Sequence, residues 1–526
     1  MGIIPKSFVQ GTKKNFPEFK QFLDMPEISK YYIQLCIAKL SECFSFGIHN
    51  NPEDLDKAFK ICQDSLIAEY ENELKKINTT TVVGWFLENY INLCETLENP
   101  TNLTDKEIIP IIINKLICKN VFLQITQNAI TSSENSSFTQ EVMDKLYYLT
   151  FSLSKLVQDQ QFFYLYDRKH YQLELYEDRY AFTLTDKSYI KYPTFNWNEN
   201  IGSISQIEHI KQFKEQTINT FGDVAEELYN IVFRPSIIDL KTISEQDFMQ
   251  ILKGNYNNNV QRHGIIDITS LFFKYPDNPF LNGLTLRQEN TSLSRTIKNP
   301  NYPHRIRFRP IIELHIDNSI CYVTTSQLVF EALDEHISNL IPFNILPKEW
   351  ESNESIKSFG KDWKNQHDKW LDDEVENILN KSGYYLLRNI TGIDGLNIVK
   401  TPAVIPNKNV GEIDFIIIDE TKRIVYIVDT KYIKAKKQHA CINDDKSKFT
   451  GGKKPYNEQL FIKYEWIRNN LFHVQNEFRR KGININITDY NVDLFFITNA
   501  PSFYSIISEY PIIPVKELLR HLETHQ

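Results

Sequence analysis

Two aspartates and one lysine near the end of the sequence could do chemistry together. Asp414 lies in the run Gly411-Glu-Ile-Asp-Phe-Ile-Ile-Ile-Asp, and Asp429 and Lys431 close the run Arg423-Ile-Val-Tyr-Ile-Val-Asp-Thr-Lys. Carboxylate oxygens are the ligands that magnesium and manganese prefer, and a lysine beside the metal can orient water or offset developing negative charge. These residue types therefore point to metal-assisted hydrolysis of a phosphate ester.

The elements that must position these residues are two β-strands. Both runs are rich in β-branched and aromatic residues, and the polar segment Asp419–Lys422 between them is typical of the loop of an antiparallel hairpin. If Ile418 pairs with Arg423, Asp429 lies opposite Glu412 and diagonal to the first aspartate. Because side chains alternate with a period of two, any even loop length keeps both aspartates and the lysine on one face.

Placing two acids this close together costs free energy, which indicates that the pair has a function. Two carboxylates about 5 Å apart repel by roughly 3 kcal/mol at an effective dielectric constant of about 20, before any cost of desolvation. A divalent cation reverses the sign of this interaction. The alternative interpretation is that the two acids are charges on an edge strand and that Lys431 is their surface partner. It is disfavoured because acids are unusual beside strands as apolar as Phe415–Ile418 and Ile424–Val428.

The pattern resembles the signature of the PD-(D/E)xK nuclease superfamily, the fold of many restriction endonucleases and of related defence and repair nucleases. Asp414 matches the first acid and Asp429-Thr-Lys431 matches the (D/E)xK element, whereas Ile413 stands where the motif's name has proline. The resemblance implies a magnesium- or manganese-dependent endonuclease. It makes Asp414 and Asp429 the metal ligands and adds Lys431 as a catalytic residue.

The predicted elements around the motif follow the order of that superfamily. They are a helix at Lys361–Lys381 ended by Gly383, a strand at Tyr384–Ile393, the hairpin strands Gly411–Ile418 and Ile424–Lys431, a long helix at Asn457–Lys481 and a strand at Val492–Thr498. This α-β-β-β-α-β order predicts a C-terminal α/β domain with a restriction-endonuclease-like fold.

Superfamily members often add an acid from the first helix. Spacing to Val375 and Gly383 favours Asp372, whereas residue type favours Glu374, and Glu376 points further out. The choice stays open, and Glu374 is the residue named here as a candidate metal ligand. Each of these acids, taken alone, is more often a solvated helix charge.

Gln459 opens the second helix, where a subset of the superfamily carries a glutamine that helps to hold the active site. The tyrosine expected four residues later is Lys463, and Tyr464 follows it, so the match is partial. Gln459 is therefore a candidate catalytic residue.

A basic, glycine-containing loop follows Lys431 and predicts contacts to nucleic-acid phosphates, although a solvated charge run is the usual alternative. The candidate phosphate-binding residues are Lys434, Lys436, Lys437, Lys453 and Lys454. A second basic stretch, Arg305-Ile-Arg307-Phe-Arg309, alternates with apolar residues as a strand does. For these arginines we favour ion pairs with nearby acids over phosphate binding.

The 526 residues predict a multidomain protein. We divide it into a mostly helical region at 1–160, a mixed α/β regulatory or targeting region at 161–350 with a small meander at 161–196, and the nuclease-like domain at 351–526. Residues 361–526 carry 24 Lys and Arg against 22 Asp and Glu, which leaves 35 against 45 for residues 1–360. The acidic N-terminal part favours protein binding over a DNA cradle.

Several absences narrow the function further. Seven cysteines without CxxC spacing predict buried thiols in a reducing cytoplasm. No apolar run reaches about eighteen residues and no signal-peptide core is present, which predicts no membrane association. There is no P-loop motif, so any NTP-driven translocation needs a partner such as an NTPase.

Together these patterns predict a metal-dependent DNA endonuclease in restriction or anti-phage defence. Its expected cofactor is Mg²⁺ or Mn²⁺, and its expected partners are nucleic acid, a protein bound by the acidic region, and a second copy of the chain. The alternatives are an RNA nuclease, a transposon or repair endonuclease, and a catalytically silent nucleic-acid-binding subunit.

Overall fold

The computed structural model describes residues 25–76, scattered positions between 83 and 94, and residues 139–185, 206–233, 265–287, 306–316, 319–343, 345–434, 443 and 445–524. They form two compact units. The first comprises the described residues within Met1–Gln160, Tyr171–Thr185 and Ser205–Lys361, and the second those within Gln161–His170 and Asp362–Gln526. Both predicted N-terminal regions contribute to the first unit, and the finer division at residues 160 and 350 stays a prediction.

The first unit combines helices with two small sheets. Its helices are α1 (Pro26–Ser41), α2 (Pro52–Leu74), α3 (Gln140–Leu165, whose last residues count with the second unit), α4 (Gln206–Phe221), α5 (Asp223–Val232), α6 (Thr269–Lys274), α7 (Pro279–Leu284) and α8 (Ser326–Glu335, continued by a π-helical turn at His336–Leu340). Its strands are β1 (Gly47–His49), β2 (Tyr171–Leu175), β3 (Tyr180–Leu184), β4 (Ile266–Asp267), β5 (Thr285–Leu286), β6 (Ile311–Ile316) and β7 (Ser319–Thr324). The sheet orders are β1-β2-β3 and β4-β7-β6-β5.

Local chemistry explains where these elements begin. The Asn51 side chain accepts a hydrogen bond from the Glu53 N–H at 3.0 Å. Pro52 is the first residue of α2, where the missing N–H of proline costs nothing because N–H groups in the first turn have no partner within the helix. Leu55 and Phe59 then lie on the buried face of that helix. The expectation that cysteines are buried is correct for Cys36, Cys62, Cys94 and Cys321, whereas Cys43 is exposed.

Two sequence predictions for strands are wrong. The aromatic run Phe162–Tyr166 is not part of the meander, because α3 continues to Leu165, and β1 supplies the third strand instead. Residues 306–308 form a turn, and the next strand begins only at Ile311, so the Arg307 and Arg309 alternation does not mark a strand. In both places the apolar residues are buried in a backbone conformation other than a strand.

The second unit is built on one five-stranded sheet. Its helices are α9 (Glu354–Lys381, whose first residues count with the first unit), α10 (Lys446–Thr450), α11 (Tyr456–Asn469), α12 (Leu471–Arg480) and α13 (Leu518–Thr524). Its strands are β8 (Tyr385–Ile390), β9 (Gly392–Ile393), β10 (Leu396–Asn397), β11 (Ile413–Asp419), β12 (Ile424–Lys431), β13 (Asn491–Thr498) and β14 (Ile512–Pro514), and the sheet order is β14-β13-β12-β11-β8.

The direction of the strands decides which residues meet. β11 is antiparallel to β8 and β12, whereas β12, β13 and β14 are parallel. The beginning of β11 therefore lies at the same edge of the sheet as the end of β12, which brings Asp414 to Asp429 and Lys431. On one face, Phe415 and Val428 pack with apolar residues of α9 and α13. Side chains that alternate with them point to the opposite face, which α11 covers.

The predicted helices and strands of this unit are present with shifted ends. Gly383, with φ +79°, follows the last turn of α9, and the helix begins at Glu354 instead of Lys361. The single helix predicted at Asn457–Lys481 is instead two helices, because Asn470 leaves helical geometry at φ −131°. A mixed α/β unit is therefore observed.

The register predicted for the hairpin is wrong by two residues. Ile418 pairs with Val425, and Asp419 pairs with Ile424, so the loop comprises Glu420–Arg423. The Asp419 carboxylate accepts a hydrogen bond from the Lys422 N–H at 2.9 Å, which fixes the turn one position later than expected. An even shift preserves the shared face, and continuing the pairing places Asp414 rather than Glu412 opposite Asp429.

Candidate active site

Asp429 is the centre of the candidate site. It lies near the end of β12, and none of its surface is exposed. Its Oδ2 accepts a hydrogen bond from Lys431 Nζ at 3.0 Å, and its Oδ1 accepts one from Lys463 Nζ. Two ammonium groups from different elements therefore hold one buried carboxylate.

Asp414 shares both cations from the neighbouring strand. Its Oδ2 lies 3.7 Å from Lys431 Nζ, and its Oδ1 lies 3.9 Å from Lys463 Nζ. The same Oδ2 accepts hydrogen bonds from the Thr430 N–H at 2.8 Å and from Thr430 Oγ1 at 3.2 Å. The structure therefore brings Asp414, Asp429 and Lys431 together on one face of the hairpin.

The two carboxylates differ in their pKa. Desolvation and then the charge of Asp429 raise the pKa of Asp414 to about 6, against the opposing effect of the two lysines. Burial also acts to raise the pKa of Asp429, but Lys431 and Lys463 outweigh it and hold that pKa below its ordinary value. Asp429 is thus ionised in the metal-free protein, whereas Asp414 is the acid that gains from a proton or another cation.

Lys431 is a permanent cation in this setting. Burial acts to lower the pKa of its ammonium group, but the charges of Asp429 and Asp414 raise the net pKa above the ordinary value. Its Nζ also lies 5.2 Å from the centre of the Tyr456 ring. Lys431 can therefore stabilise negative charge, and it is poorly suited to take a proton from water.

Lys463 is the site residue that sequence reasoning missed, and Gln459 is the one it placed wrongly. The Gln459 side chain turns back to the start of α11, where its Nε2 donates to the Lys454 carbonyl at 2.8 Å. Lys463 lies one turn further along α11 and has a side chain that is only 8% exposed. The available signal was its position beside the buried Ile462 and near Ile467, because a lysine on an apolar helix face needs a buried partner.

Of the candidate first-helix acids, Asp372 contacts the hairpin, and Glu374 as a metal ligand stays a prediction. Asp372 Oδ1 accepts a hydrogen bond from Thr430 Oγ1 at 2.6 Å, so it connects to the hairpin at the position beside Asp429. Glu374 makes no hydrogen bond or ion pair with any residue that the structure describes. Glu376 pairs with Arg388 at 2.6 Å, away from the site lysines.

The surroundings of Asp372 raise its pKa above the ordinary value. Desolvation raises its pKa, whereas the Thr430 hydroxyl and the Arg388 guanidinium act in the opposite direction. Asp368, one helical turn earlier, has a pKa that desolvation by neighbouring protein raises, with a smaller contribution from the charge of Asp372. Asp368 and Asp372 therefore add two carboxylates from α9 to those of the hairpin.

The basic loop is only partly available for phosphate binding. Lys434 is buried at 7% exposure, so its assignment as a surface phosphate contact is corrected, whereas Lys453 and Lys454 are exposed. Lys436 and Lys437 lie outside the described residues. Lys446, in α10, donates to the carbonyl oxygens of Tyr164 and Leu165 at 2.9 and 2.8 Å and caps the end of α3.

The arginines of the first unit form ion pairs, as expected from the sequence. Arg309 Nη1 and Nη2 donate to the two carboxylate oxygens of Glu349 at 3.0 and 2.8 Å, and Arg307 Nη1 lies 3.8 Å from Glu335. Arg305 lies outside the described residues. Arg307 and Arg309 are therefore held by acids within the first unit.

The donor set of the candidate site fits a hard divalent cation in one respect. The carboxyl oxygens of Asp414 and Asp429 are ligands of the type that magnesium prefers, and a cation would relieve the repulsion that raises the pKa of Asp414. Lys463, however, already occupies Asp429 Oδ1. Within the described ranges, no group of three or more His, Cys, Asp or Glu residues is close enough to hold a metal ion.

Comparisons with protein-family models, with curated proteins and with solved structures gave no match. A separate search of the described helices found none with the length and apolar composition needed to cross a membrane.

Proposed function

We propose that the second unit is a magnesium- or manganese-dependent nuclease of the PD-(D/E)xK type, with a restriction-endonuclease-like fold. The observation that carries this proposal is the pair Asp414 and Asp429, which share Lys431 at the edge of a mixed sheet. The element order from α9 to β13 supports the same assignment.

The chain's own residues have separate roles in the proposed reaction. Asp414 and Asp429 hold the cation, which when bound supplies a Lewis acid for water activation. Lys431 stays protonated and offsets negative charge that develops on the phosphate group. Thr430 orients Asp414 through its N–H, and the single proton of its hydroxyl is shared between Asp372 at 2.6 Å and Asp414 at 3.2 Å.

DNA is the proposed substrate, with restriction or anti-phage defence as the proposed context. The exposed Lys453 and Lys454 lie in the segment that leads from the hairpin to α11, and exposed lysines can contact phosphates without displacing a partner. RNA cleavage, or a repair or transposon endonuclease, would use the same residues.

The test is cleavage of plasmid, linear duplex, single-stranded DNA and RNA by the purified full-length protein, with EDTA, Mg²⁺ or Mn²⁺. We expect metal-dependent cleavage of DNA, and a loss of about 10² or more in rate for Lys431→Met. Lys381→Met, which replaces an exposed lysine at the end of α9, is the matched control. Full activity of Lys431→Met, with an unchanged melting curve, would contradict the proposal.

A second candidate function has one observation in its favour. Lys463 forms an ion pair with Asp429 at the position where a bridging cation would compete with it. This arrangement favours a catalytically silent nucleic-acid-binding subunit. The same assay separates the two functions, because a silent subunit binds nucleic acid without cleaving it at any concentration of Mg²⁺ or Mn²⁺.

A further inference from the structure

The two lysines that hold Asp429 come from different parts of the fold. Lys431 is on β12 with a side chain that is 17% exposed, and Lys463 is on α11 with a side chain that is 8% exposed. Lys431 belongs to the hairpin whose sequence pattern carries the proposed function. Lys463 lies outside that pattern, and nothing in the proposed reaction uses it.

The formal charges show what Lys463 does in the metal-free protein. Asp414 and Asp429 contribute two negative charges, and Lys431 alone offsets one of them. Lys463 lies against Asp429 and 3.9 Å from Asp414, so it supplies the second positive charge. The four groups together are neutral without any metal ion.

A divalent cation changes that balance. With both lysines in place, a bound Mg²⁺ or Mn²⁺ would give the four groups a net charge of +2 in a buried setting, where like charges repel strongly. Lys431 cannot relieve this by leaving, because the proposed reaction needs its charge at the phosphate. Lys463 is the cation that the site can dispense with.

We propose that Lys463 is an internal counter-ion that replaces the metal in the resting protein and must leave Asp429 when a divalent cation binds. Lys463 therefore sets the concentration of free metal at which the site is loaded. This inference rests on the proposed function, and it assigns to that site a regulatory device built from the chain itself. It makes Lys463 a positioning residue rather than a catalytic one.

The experiment measures Mn²⁺ binding to full-length protein by calorimetry without nucleic acid, so that the readout is independent of cleavage. Lys463→Met removes the charge at similar side-chain length, and Lys463→Arg keeps it. Arg468→Met is the control, because it removes an exposed positive charge from the same helix. We expect Lys463→Met to bind Mn²⁺ at least about ten-fold more tightly than the wild type, with Lys463→Arg and Arg468→Met close to the wild type.

Thermal unfolding supplies a second readout. Without metal, Lys463→Met exposes Asp414 and Asp429 to each other's charge, so we expect it to melt below the wild type in EDTA. Saturating Mn²⁺ should then raise its melting temperature by more than it raises that of the wild type. If the methionine variant does not fold in EDTA, Lys463→Gln removes the charge and keeps a hydrogen-bond donor for Asp429.

The outcomes separate this inference from the proposed function. If the wild type binds Mn²⁺ and the neutral variants bind it with equal or lower affinity, the counter-ion role of Lys463 is wrong while the metal site stands. If no variant binds Mn²⁺ at any concentration tested, the proposed metal-dependent function is wrong, and the role of Lys463 falls with it.

Discussion

Arg309 in the first unit and Asp429 in the second unit are both charged residues with less than a tenth of their surface exposed, but their surroundings differ. The terminal nitrogens of Arg309 donate four hydrogen bonds, two to Glu349 and two to the carbonyl oxygens of Asn282 and Thr285. Asp429 instead shares two lysines with a second carboxylate. Arg309 and Glu349 form an ion pair with each other, whereas each acid at the Asp429 site shares two lysines with the other acid.

The consequence appears in the pKa values of the acids. Partial burial acts to raise the pKa of Glu349, but Arg309 lowers it overall, so the ion pair favours the charged form. Asp414 has the opposite shift, to about 6, so burial and the charge of Asp429 destabilise its ionised form, although that form still predominates at neutral pH. A buried charge with its own partner favours the charged form, whereas a buried acid with a raised pKa is stabilised by a proton or by a further positive charge.

Breaking the fully paired arrangement should produce the largest effect on stability. Arg309→Met leaves Glu349 and two backbone carbonyls without their donor, so we expect a loss of about 3–5 kcal/mol in the free energy of unfolding of the first unit. Urea unfolding measures this loss. Arg179→Met, at an exposed arginine of the same unit, should change the free energy by less than about 0.5 kcal/mol. A loss near that of the control would mean that hydration of the partly exposed Glu349 replaces the ion pair.

Asp429→Asn should destabilise the second unit by about 3 kcal/mol at neutral pH, because it leaves Lys431 and Lys463 with Asp414 as their shared acid. The measurement is urea unfolding in EDTA, which excludes any contribution from bound metal. Asp419→Asn is a suitable comparison, since Asp419 is also a buried strand aspartate but holds only the turn through Lys422 N–H. Equal losses in the two variants would show that the lysines find other partners.

Asp414→Asn should change the stability of the second unit in the opposite direction. The folded-state pKa of about 6 lies above the ordinary value of about 3.9, so the native protein binds its proton more tightly than the unfolded chain. The stability of the wild type therefore falls as pH rises from about 4 to about 6, and the full penalty applies above that range. We expect Asp414→Asn to be more stable than the wild type by about 3 kcal/mol at pH about 8 in EDTA.

The pH dependence of that gain is its control. Because protonated aspartic acid and asparagine are both neutral, the difference between the variant and the wild type should disappear below pH about 4. A variant that is less stable than the wild type at every pH would mean that the bonds from Thr430 to Asp414 outweigh the repulsion from Asp429.

A site residue could be predicted from the sequence where strand alternation alone decides its position. Asp414, Asp429 and Lys431 were found from the sequence because strand alternation and an even loop length decide which face they share. The hairpin register was wrong because the hydrogen bond from Lys422 to Asp419 moves the turn, and such a contact leaves no periodic signal. Alternation fixes the face of a residue, and side-chain contacts in the turn fix its partner.

Residues that reach the site from another element were harder to predict. Lys463 meets Asp429 only because α11 covers that face of the sheet, and the sequence showed it only as a lysine at the position where a tyrosine was expected. Asp372 was one of two open choices, and its contact with Thr430 depends on how α9 packs on the hairpin. Gln459 matched a pattern of residue types but points to the start of its own helix.

Replacing the exposed lysines of the basic segment should have the smallest effect on stability. Lys453 and Lys454 are exposed, so replacing both with glutamine should leave the free energy of unfolding within about 0.5 kcal/mol of the wild type. Their effect should appear in DNA binding instead, because each lost phosphate contact lowers the slope of log affinity against log salt by about 0.9. We expect the double variant to lose about 1.8 of that slope, measured by fluorescence anisotropy of a labelled duplex in EDTA between about 50 and 200 mM salt.

Lys434→Gln is the matched control, since it removes the same charge from the same segment at a buried position. It should lower the stability of the second unit and leave the salt slope unchanged, which is the reverse of the expectation for Lys453 and Lys454. If all three lysines contributed equally to the slope, the segment around Lys434 would have to open when DNA binds. If none of them contributed, the basic segment would be a solvated charge run, and phosphate binding would have to come from other residues of the second unit.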